Sequence, residues 1–136
     1  MKKYLLVLLV PILSQAAFAD SFWSHNGSIM RLVADGNERT FVYEVPSKRV
    51  YAAGARKGSI LFDGYKNGNK YFGTSRVFSK NCYYDLAYKV SGNNVYEGPK
   101  VVLHGSRMEY DTRNGKCKPT GRTVSDKLVF TYMYTE

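Results

Sequence analysis

Residues 66–90, KNGNKYFGTSRVFSKNCYYDLAYKV, decide the fold. They begin with Asn67-Gly68, a pair typical of tight hairpin turns because both residue types tolerate the positive φ that such a turn needs. They end with Cys82–Val90, an alternating segment that places Tyr, Leu, Tyr and Val on one face. A two-residue period is typical of a strand with one buried face. The stretch therefore predicts two antiparallel strands, Lys70–Ser79 and Cys82–Val90.

The same alternation of strands and turns continues on both sides of this stretch. Further strands are predicted at Ser28–Val33, Arg39–Val45, Ser59–Phe62, Lys100–Tyr110 and Lys127–Tyr134. Two polar, Gly-containing segments are interpreted as connections: Ser47–Gly58, with a short helical turn, and Asp111–Ser125, a long loop held at Cys117. No later window of about a dozen residues keeps a 3.6-residue apolar period. The sequence predicts an all-β fold, a small antiparallel barrel or sandwich of about seven or eight strands, in one domain over residues 20–136.

The first 19 residues, MKKYLLVLLVPILSQAAFA, have the three parts of a secretion signal. Lys2 and Lys3 precede an apolar run of about ten residues, half of the roughly 20 needed to span a bilayer. Ala17 and Ala19 supply the small side chains that signal peptidase requires. We expect cleavage after Ala19, which leaves a chain without a membrane-spanning segment, located in the periplasm or secreted.

Cys82 and Cys117 are the only two cysteines. In an exported chain such a pair predicts one disulfide. Closing this loop of about 36 residues would stabilise the domain by roughly 4 kcal/mol in the chain-entropy estimate. CxxC spacing and a Cys/His cluster at zinc spacing are both absent, so the sequence predicts no metal and no cofactor.

The charge of the chain is strongly positive, with 20 Lys and Arg against 11 Asp and Glu and a net charge of +9. Loss of residues 1–19 would remove Lys2 and Lys3 and leave +7. A hydrophobic fraction of 44% excludes general disorder. Much of the excess falls in two basic segments, here named by their cations: Lys48, Arg49, Arg56 and Lys57 in the first, and Arg113, Lys116, Lys118 and Arg122 in the second.

Basic segments of this kind attract anionic partners. Export argues against nucleic acid, so an anionic glycan, a lipid head group or an acidic protein is the expected partner. The alternative is a soluble surface whose positive charge has no specific partner.

Several motifs along the chain occur together in a known group of proteins. FWSHNGSIMRLV (residues 22–33) is followed by ILFDG, NGNKYFGTSRVF, a cysteine, YKVSG, VVLHG and a late LVF. In this the chain resembles small exported β proteins of Gram-negative bacteria with a W-x-H-N-G-S-x-M-R-L start and two cysteines. The resemblance implies export and a shared β fold, and it carries no catalytic residue over to this chain.

The segment WSHNGS, residues 23–28, contains the only Trp and one of the two His. As a small polar binding site, it would use His25 as a base or ligand and Trp23 as a stacking platform. The alternative is structural: Trp23 closes one end of the barrel and His25 caps a turn, as buried Trp in a small β domain mostly does. His104, in the strand VVLHGS, is interpreted as a structural residue.

Motifs of known catalytic sites are absent, including G-x-S-x-G, H-E-x-x-H and the phosphate-binding loop. We therefore expect an exported non-enzymatic binding or structural protein that contacts anionic ligands through its basic segments. The alternatives are a proteinaceous inhibitor of a secreted hydrolase and an enzyme centred on His25.

Overall fold

The computed structural model describes residues 3–6, 20–82, 86–95 and 99–136. The predicted signal peptide lies outside these ranges except for residues 3–6, and its cleavage stays a prediction. Residues 83–85 of the strand predicted at Cys82–Val90 also lie outside them.

The described residues form eight strands that close into one antiparallel barrel in chain order. The strands are β1 (Ser21–His25), β2 (Ser28–Asp35), β3 (Glu38–Val45), β4 (Ile60–Asn67), β5 (Lys70–Val77), β6 (Leu86–Val95), β7 (Lys100–Asp111) and β8 (Lys118–Thr135). A short helix, α1 (Lys48–Ala52), lies between β3 and β4, where a helical turn was predicted. The barrel closes where β8 pairs with β1. The prediction of an all-β antiparallel barrel is confirmed.

The up-and-down order gives the barrel two different ends. The connections β1–β2, β3–β4, β5–β6 and β7–β8 lie at one end, which we call the mouth. The turns β2–β3 and β4–β5 lie at the far end, together with both termini of the domain. There the backbone N–H of Glu136 donates to the carbonyl of Asp20 at 3.1 Å. The four connections and the strand ends beside them therefore surround the mouth.

Aromatic side chains fill the centre of the barrel. Phe41, Phe62 and Phe130 have no exposed surface. Phe41 stacks on Phe130 with ring centroids 3.9 Å apart, and Trp23 meets Phe41 edge-on at 5.9 Å. Such pairs add about 0.5–1.5 kcal/mol each to the gain from burial. The central part of the barrel is therefore solid.

The first strand was not among the strands expected from the sequence. Ser21–His25 pairs with β2 through a two-residue turn in which Asn26 and Gly27 have φ values of 47° and 79°. Left-handed conformations at both central residues match the twist of a tight hairpin, and Asn-Gly tolerates them best. Trp23 and His25 therefore lie on a paired strand.

The prediction of a loop over Asp111–Ser125 is wrong. The strands β7 and β8 stay paired as far as Asp111 opposite Lys118, so most of the segment is hairpin. Residues 118–125 are exposed on both faces except at Val124, which is partly buried. Without a buried face there is no apolar alternation, which is why the pattern suggested a loop. This part of the hairpin extends beyond the mouth.

The predicted disulfide is present and joins two connections at the mouth. Cys82 follows β5 and Cys117 precedes β8, with Cα atoms 5.3 Å apart. Beside it, the Asn81 side-chain amide donates to the carbonyl of Thr112 at 2.6 Å. The two links tie the protruding hairpin to the barrel. In the described ranges, no helix is long and apolar enough to span a membrane.

Candidate functional site

The mouth of the barrel contains a cavity of about 390 Å³. All eight strands and α1 contribute to its lining. The lining residues are His25, Asn26, Ser28, Tyr43, Ser47, Arg49, Val50, Ala53, Leu61, Arg76, Val77, Phe78, Tyr88, Arg107, Asp126, Lys127 and Leu128. Its volume lies in the range of small-molecule sites, about 300–1,000 Å³.

The inner wall carries a carboxylate held by two donors. Arg107 donates through Nε to Oδ2 of Asp126 at 2.6 Å, and the Tyr88 hydroxyl donates to the same oxygen at 2.9 Å. Burial raises the pKa of Tyr88 to about 12, and its hydrogen bond to Asp126 acts in the same direction. Asp126 is thus fixed in place, and its Oδ1 forms no hydrogen bond within the described residues.

Tyr43 supplies an unused hydrogen-bonding group to the same cavity. Its ring is buried in the core, and burial raises the pKa of its hydroxyl to about 12. That hydroxyl forms no hydrogen bond with another described residue. A neutral phenol at the wall of a cavity can donate one hydrogen bond and accept others. Tyr43 is therefore free to bind a ligand.

His25 is neutral and has one tautomer. Its Nδ1 lies 2.9 Å from the carbonyl of Val129, which can only accept, so Nδ1 carries the proton. Its Nε2 is then an acceptor, and the Asn26 amide lies 3.4 Å from it. Burial lowers the pKa of His25, against the opposing effect of the Val129 carbonyl. The imidazole also stacks on Phe130 at 4.5 Å, so it is rigidly oriented.

Ser28 fixes the position of α1 over the cavity. The buried Ser28 hydroxyl accepts from the backbone N–H of Ser47 at 2.9 Å. The Ser47 hydroxyl in turn accepts from the N–H of Val50 and caps the helix. Arg49 and Val50 are thereby held at the rim.

The rim of the cavity is positively charged. Arg49 and Lys127 are exposed and form no ion pair with any described residue. Arg76 pairs with Asp63 at 2.6 Å and Arg107 pairs with Asp126. Two lining cations thus remain available to a ligand.

The two residues singled out near the N-terminus have different places. His25 lines the cavity. Trp23 lies in the core, only 7% exposed, where it packs edge-on against Phe41 and Tyr132 and donates to the Ser21 hydroxyl at 2.8 Å. Trp23 is therefore outside the cavity lining, and His104 lies on the outer face of β7.

The first basic segment surrounds α1. Arg49 lines the cavity and Lys48 is exposed beside it. Arg56 stacks over the Tyr51 ring at 3.7 Å, and Lys57 pairs with a carboxylate oxygen of Glu44 at 3.3 Å. Only Arg49 of this segment therefore lines the cavity.

The second basic segment lies on the β7–β8 hairpin. Arg113 pairs with Asp111 at 3.1 Å, and Arg122 pairs with Glu109 at 2.8 Å. Lys116 and Lys118 are exposed. Because the hairpin extends from the mouth, the topology brings the two basic segments to the same end of the barrel.

The unit of Tyr88, Arg107 and Asp126 was not predicted as a site. Its signal is a polar residue on the apolar face of a strand: Asp126 shares the inward face of Leu128 and Phe130. Asp126 could be recognised as an inward-facing residue only if β8 were known to begin before it, and the predicted strand began at Lys127. The described residues contain no group of three or more His, Cys, Asp or Glu placed to hold a metal.

Comparison with known proteins gives a fold relationship. No protein-family profile matches the chain, and no curated protein matches its sequence. Rhizavidin, solved as a biotin complex, is 17% identical, with a TM-score of 0.54 over 88% of this chain and 95% of rhizavidin. Apo short afifavidin is 17% identical, with a TM-score of 0.51 over 86% of this chain and 97% of its own. Intact apo afifavidin is also 17% identical, with a TM-score of 0.50 over 85% and 81%. The chain therefore has the fold of the avidin-like barrels.

Proposed function

We propose that this chain is an exported binding protein that takes a small molecule into the mouth of its barrel. The main support for this proposal is the cavity, about 390 Å³ in volume. The Tyr43 hydroxyl in its wall forms no hydrogen bond with another described residue. The Tyr43 hydroxyl keeps accessible surface in the cavity, so a ligand can hydrogen-bond to it in place of solvent. The fold shared with rhizavidin, which was solved with biotin, supports the same role.

The lining indicates the chemistry of the ligand. Val50, Leu61 and Phe78 offer apolar contact, and Tyr43 offers a hydrogen bond. Arg49 at the rim would attract an anionic group. The proposed ligand is therefore a small organic acid with an apolar body and a hydrogen-bonding head.

The cellular location of the protein is part of the same proposal. The sequence of residues 1–19 supports export, and a disulfide such as Cys82–Cys117 persists in oxidising compartments. We place the protein in the periplasm or outside the cell, with a ligand available there.

A thermal-shift assay tests the proposal. The probes are biotin, which has a carboxylate and a polar ring head, its methyl ester, which lacks the charge, and a panel of other small carboxylic acids. A ligand at about 100 times its Kd stabilises a protein by about 2.7 kcal/mol. We expect at least one acid to raise the Tm in a saturable way, and its methyl ester to do so less.

Three variants locate the site. Tyr43→Phe and Arg49→Gln should each weaken binding, whereas Lys70→Gln at the far end should not. No stabilisation by any acid would contradict the proposal. Stabilisation that survives both mouth substitutions would place the ligand elsewhere.

A further inference from the structure

Near the mouth, one edge of β8 has no partner strand among the described residues. Residues Thr131–Thr135 of β8 pair with β1. From Lys118 to Leu128 the described residues pair with β8 on its β7 side alone. The barrel wall thus leaves one edge of the hairpin open.

Two hydrogen bonds show which backbone groups face this edge. The N–H of Tyr132 donates to Pro99 at 2.9 Å, next to β7. The carbonyl of Val129 accepts from His25, on the β1 side. Successive residues of a strand point their backbone groups to opposite sides. Odd-numbered residues of β8 therefore point toward β1 and, beyond its end, toward the open edge.

The pairing of β8 with β7 is regular from Thr123 to Thr131, so the backbone groups alternate between the two sides over this whole range. Thr123, Ser125 and Lys127 present their backbone N–H and C=O groups to solvent, and we call these groups the free edge. The side chains of all three are exposed. The free edge begins just after Val129. There the His25 ring, not a neighbouring strand, hydrogen-bonds to the Val129 carbonyl.

The free edge has one of the usual protections against pairing, the charge of Lys127, and lacks the others. Natural proteins block exposed edges with Pro, bulges and charges. Pro119 and Gly121, whose φ is +84°, lie in the outer part of the hairpin. Residues 123–127 contain no Pro and no positive φ. This segment is therefore able to accept another strand.

The charges beside the free edge decide the kind of strand. Lys118 and Lys127 form no ion pair with described residues. The carboxylates nearby are already used, Asp126 by Arg107 and Glu109 by Arg122. A second copy of β8 would bring two positively charged barrel ends together, and like-charge repulsion disfavours that contact.

We propose that the free edge binds an extended, acidic segment of another protein, which adds a strand to β8. Backbone hydrogen bonds to Thr123, Ser125 and Lys127 would supply affinity, as in known cases of strand addition. Acidic side chains of the partner would pair with Lys127. The free edge shares Lys127 with the cavity lining, but the backbone pairing proposed here does not require a ligand in the cavity.

Calorimetry with a short end-blocked peptide of alternating Glu and Val tests the proposal. A second peptide has the same sequence with N-methyl groups on the alternate amides that would pair, and a third has Lys for Glu. We expect saturable binding of the first peptide, and at least about tenfold weaker binding of the other two because hydrogen bonds or ion pairs are lost.

Variants of β8 provide the matched test on the protein. Ser125→Pro removes one free-edge N–H, whereas Ser125→Ala keeps it. We expect the Pro variant to bind about tenfold more weakly and the Ala variant to bind like the parent. Circular dichroism checks that each variant is folded. If the Pro variant is unfolded, the comparison of the parent and N-methyl peptides tests strand pairing on the unmodified protein.

Three results would overturn the proposal. The first is no binding of the acidic peptide. The second is equal binding of its N-methyl form, which would mean charge attraction without strand pairing. The third is self-association through this edge, seen as a dimer in sedimentation that Ser125→Pro dissociates.

Discussion

His25 is a buried histidine whose proton position is set by the backbone of the neighbouring strand. The ring donates to Val129 and stacks on Phe130, and burial lowers its pKa. A ring whose pKa is lower in the folded state than in the unfolded state makes folding sensitive to acid. The polar mouth thus contributes to stability as well as to the proposed binding.

The sign of this effect follows from the two states of the chain. Above the ordinary histidine pKa of about 6.5 both states are neutral, and the stabilising effect is complete. As the pH falls below that value the unfolded state binds a proton first, so stability is lost until the folded state also protonates. Urea unfolding between pH 8 and pH 5 should show this loss, and His25→Gln should reduce it. His104→Gln on the outer face is the control, and an unchanged slope in the His25 variant would contradict the prediction.

Phe41 joins the two halves of the aromatic core. It has no exposed surface, stacks on Phe130 and contacts Trp23 and Phe62. Removing such a side chain loses its burial and leaves a cavity, at a cost of about 3–5 kcal/mol. Phe41→Ala should lower the free energy of unfolding by that amount in a urea titration. A loss below about 1 kcal/mol would mean that the core collapses around the gap, and Phe72→Ala on the exposed outer face is the matched control.

Single residues show where sequence reasoning reached its limit. The alternation in residues 86–90 correctly placed Tyr88 on the inward face with Val90. It could not reveal that Tyr88 meets Asp126, because that contact joins strands 38 residues apart in sequence. Tyr43 lies within the predicted strand Arg39–Val45, and only the structure shows that its hydroxyl faces a cavity.

Among the elements, the β7–β8 hairpin depends most on its cross-links. Its outer part is exposed on both faces, so burial contributes little there. The Cys82–Cys117 disulfide and the Asn81 hydrogen bond to Thr112 tie it to the β5–β6 connection. The hairpin should therefore be the first part of the barrel to open when the disulfide is lost.

Replacing both cysteines by serine tests this role. We expect a loss of about 2–4 kcal/mol in the free energy of unfolding, because the unfolded chain gains freedom. Hydrogen exchange should accelerate in residues 118–125 while the amides of β2 and β3 remain protected. Asn81→Ala should give a smaller change in the same segment. Uniform acceleration over the whole barrel would contradict the prediction.

Among the secondary-structure elements, the sequence pattern predicted the strands that have one buried face. It missed β1, a strand of five residues beside the predicted signal peptide, in which adjacent Phe22 and Trp23 are both buried. It missed the start of β8 for the opposite reason, since Lys118–Ser125 has no buried face. An alternation of apolar and polar residues identifies a strand that has one buried and one exposed face. It is absent where both faces are buried or both are exposed.

The whole molecule has an uneven distribution of charge between its two ends. Both basic segments lie at the mouth, one around α1 and the other on the β7–β8 hairpin. At the far end, Lys66 and Lys70 of the β4–β5 turn lie beside the β2–β3 turn, where Asp35 and Glu38 offset much of the positive charge. The sequence showed two basic segments separated by more than fifty residues, and the up-and-down topology brings them together. The net charge of the chain is thus focused where the cavity opens.

This focusing predicts how the protein binds an anionic polysaccharide matrix such as heparin. Exposed charges act over about a Debye length, about 10 Å at 0.1 M salt, so a matrix should contact the end with the denser cations. The double variant Lys116→Glu and Lys118→Glu should elute at clearly lower salt than the parent. The double variant Lys66→Glu and Lys70→Glu at the far end has the same change in net charge and should elute close to the parent. Equal shifts for the two variants would mean that the matrix senses net charge alone and that the mouth has no special attraction for anions.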